Sequence, residues 1–418
     1  MTLKFRLILM QFLQFFIWGS WLLTISAYWF QTKHWSGSEF GAIFSTMGIA
    51  SLFMPAIAGM IADRFINAEK LYAFFHFMGA ITLFYITQVK DPSSMFWAML
   101  INMCFYMPTI SLSISVSYTA MKKSNMDVIK DFPPIRIWGT IGFIAALWTT
   151  SLSGLETSIG QFYIASVVSL LLALYALSMP ACPPLGKTQT GSFSQRLGLD
   201  AFALFKDFNM ALFFIFAMLL GAALQLTNAY GDTFLHDFAL IAEYKNTFAV
   251  KHPAVILSIS QFSETAFILT IPFFLRHFGI KHVMFMSMLA WALRFGLLAF
   301  GNPGDGLWMI VLSCIVYGMA FDFFNISGSL YVETQVDKKM RASAQGLFMM
   351  MVNGFGALLG SRISGIIIDK YFLIGDKFDW RGIWLCFAAY AALIAVCFIV
   401  LFKKPASSMP LTHELTNP

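Results

Sequence analysis

Residues 382–402 read Gly-Ile-Trp-Leu-Cys-Phe-Ala-Ala-Tyr-Ala-Ala-Leu-Ile-Ala-Val-Cys-Phe-Ile-Val-Leu-Phe, 21 residues without a charge. A helix needs about 20 apolar residues to cross the hydrocarbon core of a bilayer, so this stretch predicts a membrane span. Working back along the chain, eleven more runs of the same kind lie at approximately 7–30, 40–62, 71–88, 95–120, 135–155, 161–180, 210–235, 253–277, 282–300, 307–333 and 342–368. No alternating pattern of the kind seen in membrane barrels competes with them. The first run lacks a small-residue cleavage site and carries Trp18, Trp21 and Trp29, so it is expected to be a retained span rather than a signal peptide. The expected fold is an all-α membrane protein with twelve transmembrane helices in two six-helix bundles.

Composition supports this. Of 418 residues, 58% are hydrophobic and only 11% charged, against about 25% charged in an ordinary soluble domain. That excludes a water-soluble monomer and a disordered chain. Five cysteines are too few for a disulfide scaffold. Cys104, Cys314, Cys386 and Cys397 lie in apolar runs, where a thiol acts as a small hydrophobe. Cys182 has no cysteine or histidine cluster beside it, so no metal is expected. Neither a phosphate-binding Gly-x-x-x-x-Gly-Lys-Ser/Thr loop nor a His-Glu-x-x-His pair occurs. Direct use of ATP, a cofactor and an enzymatic function are therefore not expected.

The net charge of +6 comes from basic residues in short loops, and it points to membrane orientation rather than nucleic acid. With the N-terminus in the cytoplasm, 18 of the 27 Lys and Arg fall on inner segments, so both termini are expected inside. The longest inner connection opens with Pro180, Pro183 and Pro184 and ends in the amphipathic stretch Gly198–Lys206. This divides the chain into a bundle at 1–180, a linker with an interfacial helix at 181–209, a bundle at 210–402 and a tail at 403–418. Shifting the sequence by 202 residues sets Gly19, Leu22, Ala27 and Tyr28 on Gly221, Leu224, Ala229 and Tyr230, the mark of an internal repeat. In the same register Leu23 and Ser26 meet Gln225 and Asn228, so the second half carries amides where the first does not.

An ionisable group at mid-membrane costs about 2.5–3.5 kcal/mol on insertion scales and is a functional candidate by default. Glu264 and Asp322 qualify, near the middles of the eighth and tenth runs. Neither has a basic residue one turn away, and burial disfavours the ionised carboxylate. Proton carriage is the expectation, set against a structural acid satisfied by amides. Gln225 with Asn228, Gln261 with Glu264, and Asp322 with Asn325 each share a helix face at i, i+3. Their donors and acceptors suit a solute rich in hydroxyls and ring nitrogens, although a single amide is as readily interhelical glue. Arg136, Thr140 and Phe143 form another face; Arg136 either snorkels to the inner edge or turns inward. Arg294 and Arg362 are expected to be structural or gating residues. Among many aromatic rings, Trp18, Trp21, Trp138, Tyr317 and Phe321 lie where one could stack on a flat heterocycle.

Gly59-Met-Ile-Ala-Asp63-Arg64-Phe65 resembles the Gly-x-x-x-Asp-Arg loop motif of the major facilitator superfamily, with the later Gly-Arg-Lys portion replaced by Ile66-Asn67-Ala68. The resemblance implies a gating role for Gly59, Asp63 and Arg64. A narrower likeness runs through Asp131-Phe-Pro-Pro-Ile-Arg-Ile-Trp-Gly-Thr140, Gly198-Leu-Asp-Ala-Phe202, Ser258-Ile-Ser-Gln-Phe-Ser-Glu264, Ala320-Phe-Asp-Phe-Phe-Asn-Ile-Ser-Gly328 and Arg341-Ala-Ser-Ala-Gln-Gly346. These stretches resemble the bacterial nucleoside:proton symporters. That family includes broad nucleoside permeases and xanthosine permeases, and the resemblance implies an inner-membrane nucleoside carrier driven by protons. It places Arg136, Thr140, Phe143, Gln225, Asn228, Gln261, Glu264 and Phe321 to Asn325 in a central cavity, and Tyr317 joins them as a substrate-binding candidate. Asp322 and Glu264 are the proton-coupling candidates. The expected partners are the nucleoside, the proton and the lipid bilayer, with the monomer as the working form. A proton-coupled sugar symporter and a drug exporter are the rivals within transport. A nucleoside-sensing receptor is the rival outside it, and would be expected to carry an output domain.

Overall fold

The structure is a computed structural model that describes residues 2–184, 199–337, 340–375 and 377–403. Among these residues twelve main helices follow one another. They are α1 (Leu3–Gly19), α2 (Gly37–Arg64), α3 (Ala68–Ile86), α4 (Pro92–Lys123), α5 (Val128–Leu152) and α6 (Gly160–Ala176), then α7 (Phe208–Asp237), α8 (259–278), α9 (280–300), α10 (Leu307–Gln335), α11 (Ser343–Phe372) and α12 (Trp380–Leu401). Each expected run has its helix. The only strands among the described residues are Leu373–Ile374 and Lys377–Phe378, paired antiparallel before α12.

Among the described residues, eight helical stretches are long and apolar enough on their own to cross a membrane. The gap from twelve has physical reasons. The α1 and α6 helices have 17 residues each, and α1 is extended through Ile25–Ala27 and a π-helical turn at Tyr28–Lys33. The α3 helix carries Glu69, Lys70 and His76. The α8 and α9 helices are two helices separated by Gly279 alone, whose non-helical φ of 74° suits a residue without Cβ, so both spans fall in one stretch. The stretch expected as an interfacial helix is a 3-10 helix at Leu199–Lys206. The linker at 185–198 and the tail from 404 lie outside the described residues.

The described residues group into two compact units. One takes Met1–Leu197 with Gln225–Ser258 and Ala357–Tyr371; the other takes Gly198–Leu224, Ile259–Gly356 and Phe372–Pro418. The units thus cut across α7 and α11. In the first unit, Asp369 of α11 accepts from the Gly37 and Ser38 N–H groups, at 2.8 and 2.6 Å. A carboxylate at that position satisfies helix-terminal donors and favours the dipole. Ser36 and Glu39 close the same helix end as a capping box. Tyr230 of α7 packs its ring 5.7 Å from Phe40, and Trp148 of α5 donates to Ser258 Oγ at 3.0 Å.

The internal repeat has a packing counterpart. Gly19 brings α1 onto the backbone of Phe143 in α5, and Gly221 brings α7 onto the backbone of Val352 in α11. A side chain at either glycine would collide with main-chain atoms. In the second unit, Ile271, Val283 and Phe323 form a buried apolar cluster that ties α8, α9 and α10 together.

Candidate functional site

The candidate residues divide between the units. In the second, α8 supplies Gln261 and Glu264, and α10 supplies Tyr317, Phe321, Asp322 and Asn325. The two helices are clamped by Ser263, whose hydroxyl donates to the Ile315 carbonyl and accepts from the Gly318 N–H. That contact fixes the depth of Glu264, one residue on. Asp322 is buried while Glu264 is half-buried. The two carboxyls, and the Tyr317 hydroxyl with them, are close enough to interact electrostatically. Asp322 Oδ2 meets no hydrogen-bond donor. Two carboxylates in one low-dielectric site repel each other strongly if both are ionised, so such a pair readily holds one proton.

Tyr317 and Phe321 are stacked one turn apart on α10. Behind them Arg294 of α9 is buried, donates to the Ser313 carbonyl at 2.8 Å and lies 4.7 Å from the Tyr317 ring centre. It therefore ties α9 to α10, as its structural expectation held. Arg362 is exposed. Asn325 donates to the Phe321 carbonyl at 3.0 Å, leaving its amide oxygen for another partner. A small cleft beside it is lined by Gly221, Leu224, Phe321, Phe324, Asn325 and Val352.

In the first unit, α5 presents Arg136, Thr140 and Phe143. Arg136 does not extend to an inner edge alone: its guanidinium sits 4.0 Å from the centre of the Phe15 ring of α1, a cation–π geometry. Phe143 meets Trp18 edge-on at 6.4 Å, and Trp18 Nε1 is buried without an acceptor. On α7, Gln225 is buried with its Oε1 unpartnered, and Asn228 is half-buried. Buried polar atoms in folded proteins are nearly always satisfied, so Trp18 Nε1 and Gln225 Oε1 stand out as open hydrogen-bonding positions. Trp21 packs in the core 6.3 Å from Phe162, and Trp138 is exposed. Gly59 has nothing within reach of a would-be side chain. Asp63 and Arg64 meet no hydrogen-bond or ion-pair partner among the described residues, and Arg64 is exposed.

Three groups escaped the sequence reading. Asn353 is an exposed amide in the π-helical turn Met350–Gly356 of α11; such turns interrupt helices at functional places. Gln14 centres a buried network. Its Oε1 accepts from Tyr72 at 2.7 Å and faces His76 Nε2 at 2.8 Å, while its Nε2 donates to Thr109 at 2.9 Å. The third group joins Glu156, Asp232 and His236. Each holds a polar residue inside an apolar run or a loop, and only the Gln14 group carried a sequence cue, the lone histidine of α3.

Twelve helices in two halves, with acids and amides buried at mid-span, define a secondary transporter of the major facilitator superfamily fold. The chain belongs to the nucleoside H+ symporter family, which it matches over residues 1–407. It is 54% identical over 415 residues to the xanthosine permease of Escherichia coli, covering 99% of both chains. It is 51% identical over 411 residues to the nucleoside permease NupG of the same organism, covering 98% of both. A crystal structure of the nucleoside transporter NupG superposes with a TM-score of 0.92 at 50% identity, over 97% of this chain and all of that one. These relatives are permeases, not enzymes, and the chain is a multi-pass membrane transporter.

Proposed function

We propose that this chain imports purine and/or pyrimidine nucleosides across the bacterial inner membrane together with protons, with xanthosine a candidate substrate, both termini cytoplasmic and the monomer as the working unit. Glu264 and Asp322 carry the coupled proton. The observation that carries this reading is their juxtaposition on α8 and α10 with Asp322 Oδ2 lacking a donor. A proton taken from outside neutralises the pair. Gln225, Asn228, Gln261, Glu264 and Asn325 then hydrogen-bond base and ribose, Phe321 and Tyr317 offer a ring face, and Arg136 with Thr140 and Phe143 completes the set of substrate contacts. The loaded site faces each side of the membrane in turn. Gly59, Asp63 and Arg64 act in gating. One charge moved across 100 mV releases about 2.3 kcal/mol, enough for roughly fifty-fold accumulation with one proton per nucleoside.

Uptake of labelled uridine and xanthosine, with and without a proton uncoupler, tests this against a sugar competitor. Asp322→Asn or Glu264→Gln should abolish uphill uptake while leaving downhill exchange. If both variants still concentrated nucleoside in a pH-dependent way, the proton assignment would fail. Competition by sugars and not by nucleosides would overturn the substrate.

A further inference from the structure

We propose that Glu156, Asp232 and His236 form a binding site for a divalent transition-metal ion of the zinc type, beginning one helical turn beyond the nucleoside candidate Asn228 on α7. Glu156 lies in the connection between α5 and α6; Asp232 and His236 lie one turn apart on α7, within the same compact unit. His236 Nε2 is 2.8 Å from Glu156 Oε2 and 3.7 Å from Asp232 Oδ2, and the three ligand atoms, one from each residue, all lie within 4.8 Å of one another. In a tetrahedral zinc site, ligands at about 2.0–2.1 Å from the metal stand about 3.3 Å from one another, a spacing these two distances bracket.

An ordinary ion pair accounts for the cluster poorly. Asp232 is 0% exposed and Glu156 3%. One imidazolium balances only one of the two carboxylates. Both Asp232 oxygens lack a hydrogen-bond donor. His236 Nε2 pairs with Glu156 Oε2 at 2.8 Å and approaches Asp232 only to 3.7 Å, so the second buried carboxylate is left without close compensation. A divalent ion satisfies all three groups together: two carboxylates neutralise its charge, and a neutral imidazole supplies the nitrogen donor that favours zinc-like ions over magnesium or calcium. The surroundings hold one ligand in place. The Ala254 N–H donates to Glu156 Oε1 at 3.1 Å, and Gln161 donates to the Glu156 carbonyl at 3.0 Å, leaving Oε2 turned toward His236. Such outer contacts orient metal ligands.

A bound ion would tie the end of α7 to the α5–α6 connection, which the orientation proposed above puts on the periplasmic side. Zinc should therefore slow uptake by holding that end closed. The inference stands apart from the nucleoside reading, because binding is measured without substrate. The full chain is purified in detergent, stripped with a chelator and equilibrated with radioactive Zn2+. About one ion per chain is expected, undisplaced by excess Mg2+, with affinity falling at least tenfold in His236→Gln and in Asp232→Asn. The same two variants should lose zinc inhibition of uptake. Each substitution keeps side-chain size, and either one alone decides the matter if the other fails to fold. Failure of the unaltered chain to bind Zn2+, or equal affinity in a folded variant, would overturn the proposal.

Discussion

The rings of Tyr317 and Phe321 lie 4° from parallel with centroids 5.7 Å apart, and the Arg294 guanidinium covers Tyr317. Tyr317 is buried and Phe321 only half so. Tyr317 thus braces Phe321, whose ring is the more open of the two.

Phe321→Ala should therefore weaken nucleoside binding without unfolding the protein. Stacking of a base on an aromatic side chain contributes about 1–3 kcal/mol, so affinity for uridine should fall by roughly five- to 150-fold. Calorimetry on the purified chain reads this directly. Tyr317→Phe keeps the brace and should change affinity little. Unchanged affinity in the alanine variant would remove the ring from the site.

Gln225 is buried with its Oε1 unpartnered on α7. If that oxygen awaits a donor from the ligand, Gln225→Ala should raise the half-saturating nucleoside concentration. A hydrogen bond left unmade in a buried site is worth about 1–3 kcal/mol, so a shift of roughly tenfold is expected. Concentration series with 2′-deoxy and base-modified nucleosides would show which group the amide reads: the analogue lacking that group should lose no more affinity in the variant. A normal uptake curve for Gln225→Ala would place the ligand elsewhere.

The spans were legible because twenty consecutive apolar residues form a one-dimensional signal that needs no tertiary knowledge. Glu264 and Asp322 were legible for the same reason, since a charge inside such a run stands out. What converges through space was not. Asp369 caps a helix 332 residues earlier in the chain, and nothing local to Gly37 announces it. Asp232 and His236 resemble an ordinary polar helix end, and Glu156 an ordinary loop acid, until the fold brings them within bonding reach. The break between α8 and α9 was legible as well, because Gly279 falls between the runs ending at 277 and starting at 282 and its φ of 74° interrupts the helix there.

The Gln14 network bears on stability rather than transport. Gln14 serves Tyr72, His76 and Thr109 through its side chain, and its carbonyl accepts from Tyr106 at 2.8 Å. Gln14→Leu leaves a buried phenol, an imidazole and a hydroxyl short of a partner. Each orphaned group costs about 1–3 kcal/mol. The melting temperature in detergent should drop by several degrees, and Gln14→Glu, which keeps the acceptor, should lose less. Equal melting of Gln14→Leu and the parent would show that the network adds no stability.

Cys182 lies past the end of α6, where its N–H donates to Glu69 Oε2 at 2.7 Å and its carbonyl accepts from the Ala68 N–H. Burial, and after it the Glu69 charge, push the Cys182 thiol up to about 11. Only the thiolate reacts with a maleimide. Against an ordinary thiol near 8.5, the reactive fraction at pH 7 is smaller by roughly 300-fold. Labelling of Cys182 should therefore keep rising about tenfold per pH unit from 9 to 10.5, where an ordinary thiol has already levelled off. Glu69→Gln removes the charge, lowers the thiol's proton affinity and should speed labelling at pH 9. Peptide mass spectrometry resolves Cys182 from the other four cysteines. A rate flat above pH 9 would mean that neither burial nor Glu69 holds the proton on the sulfur.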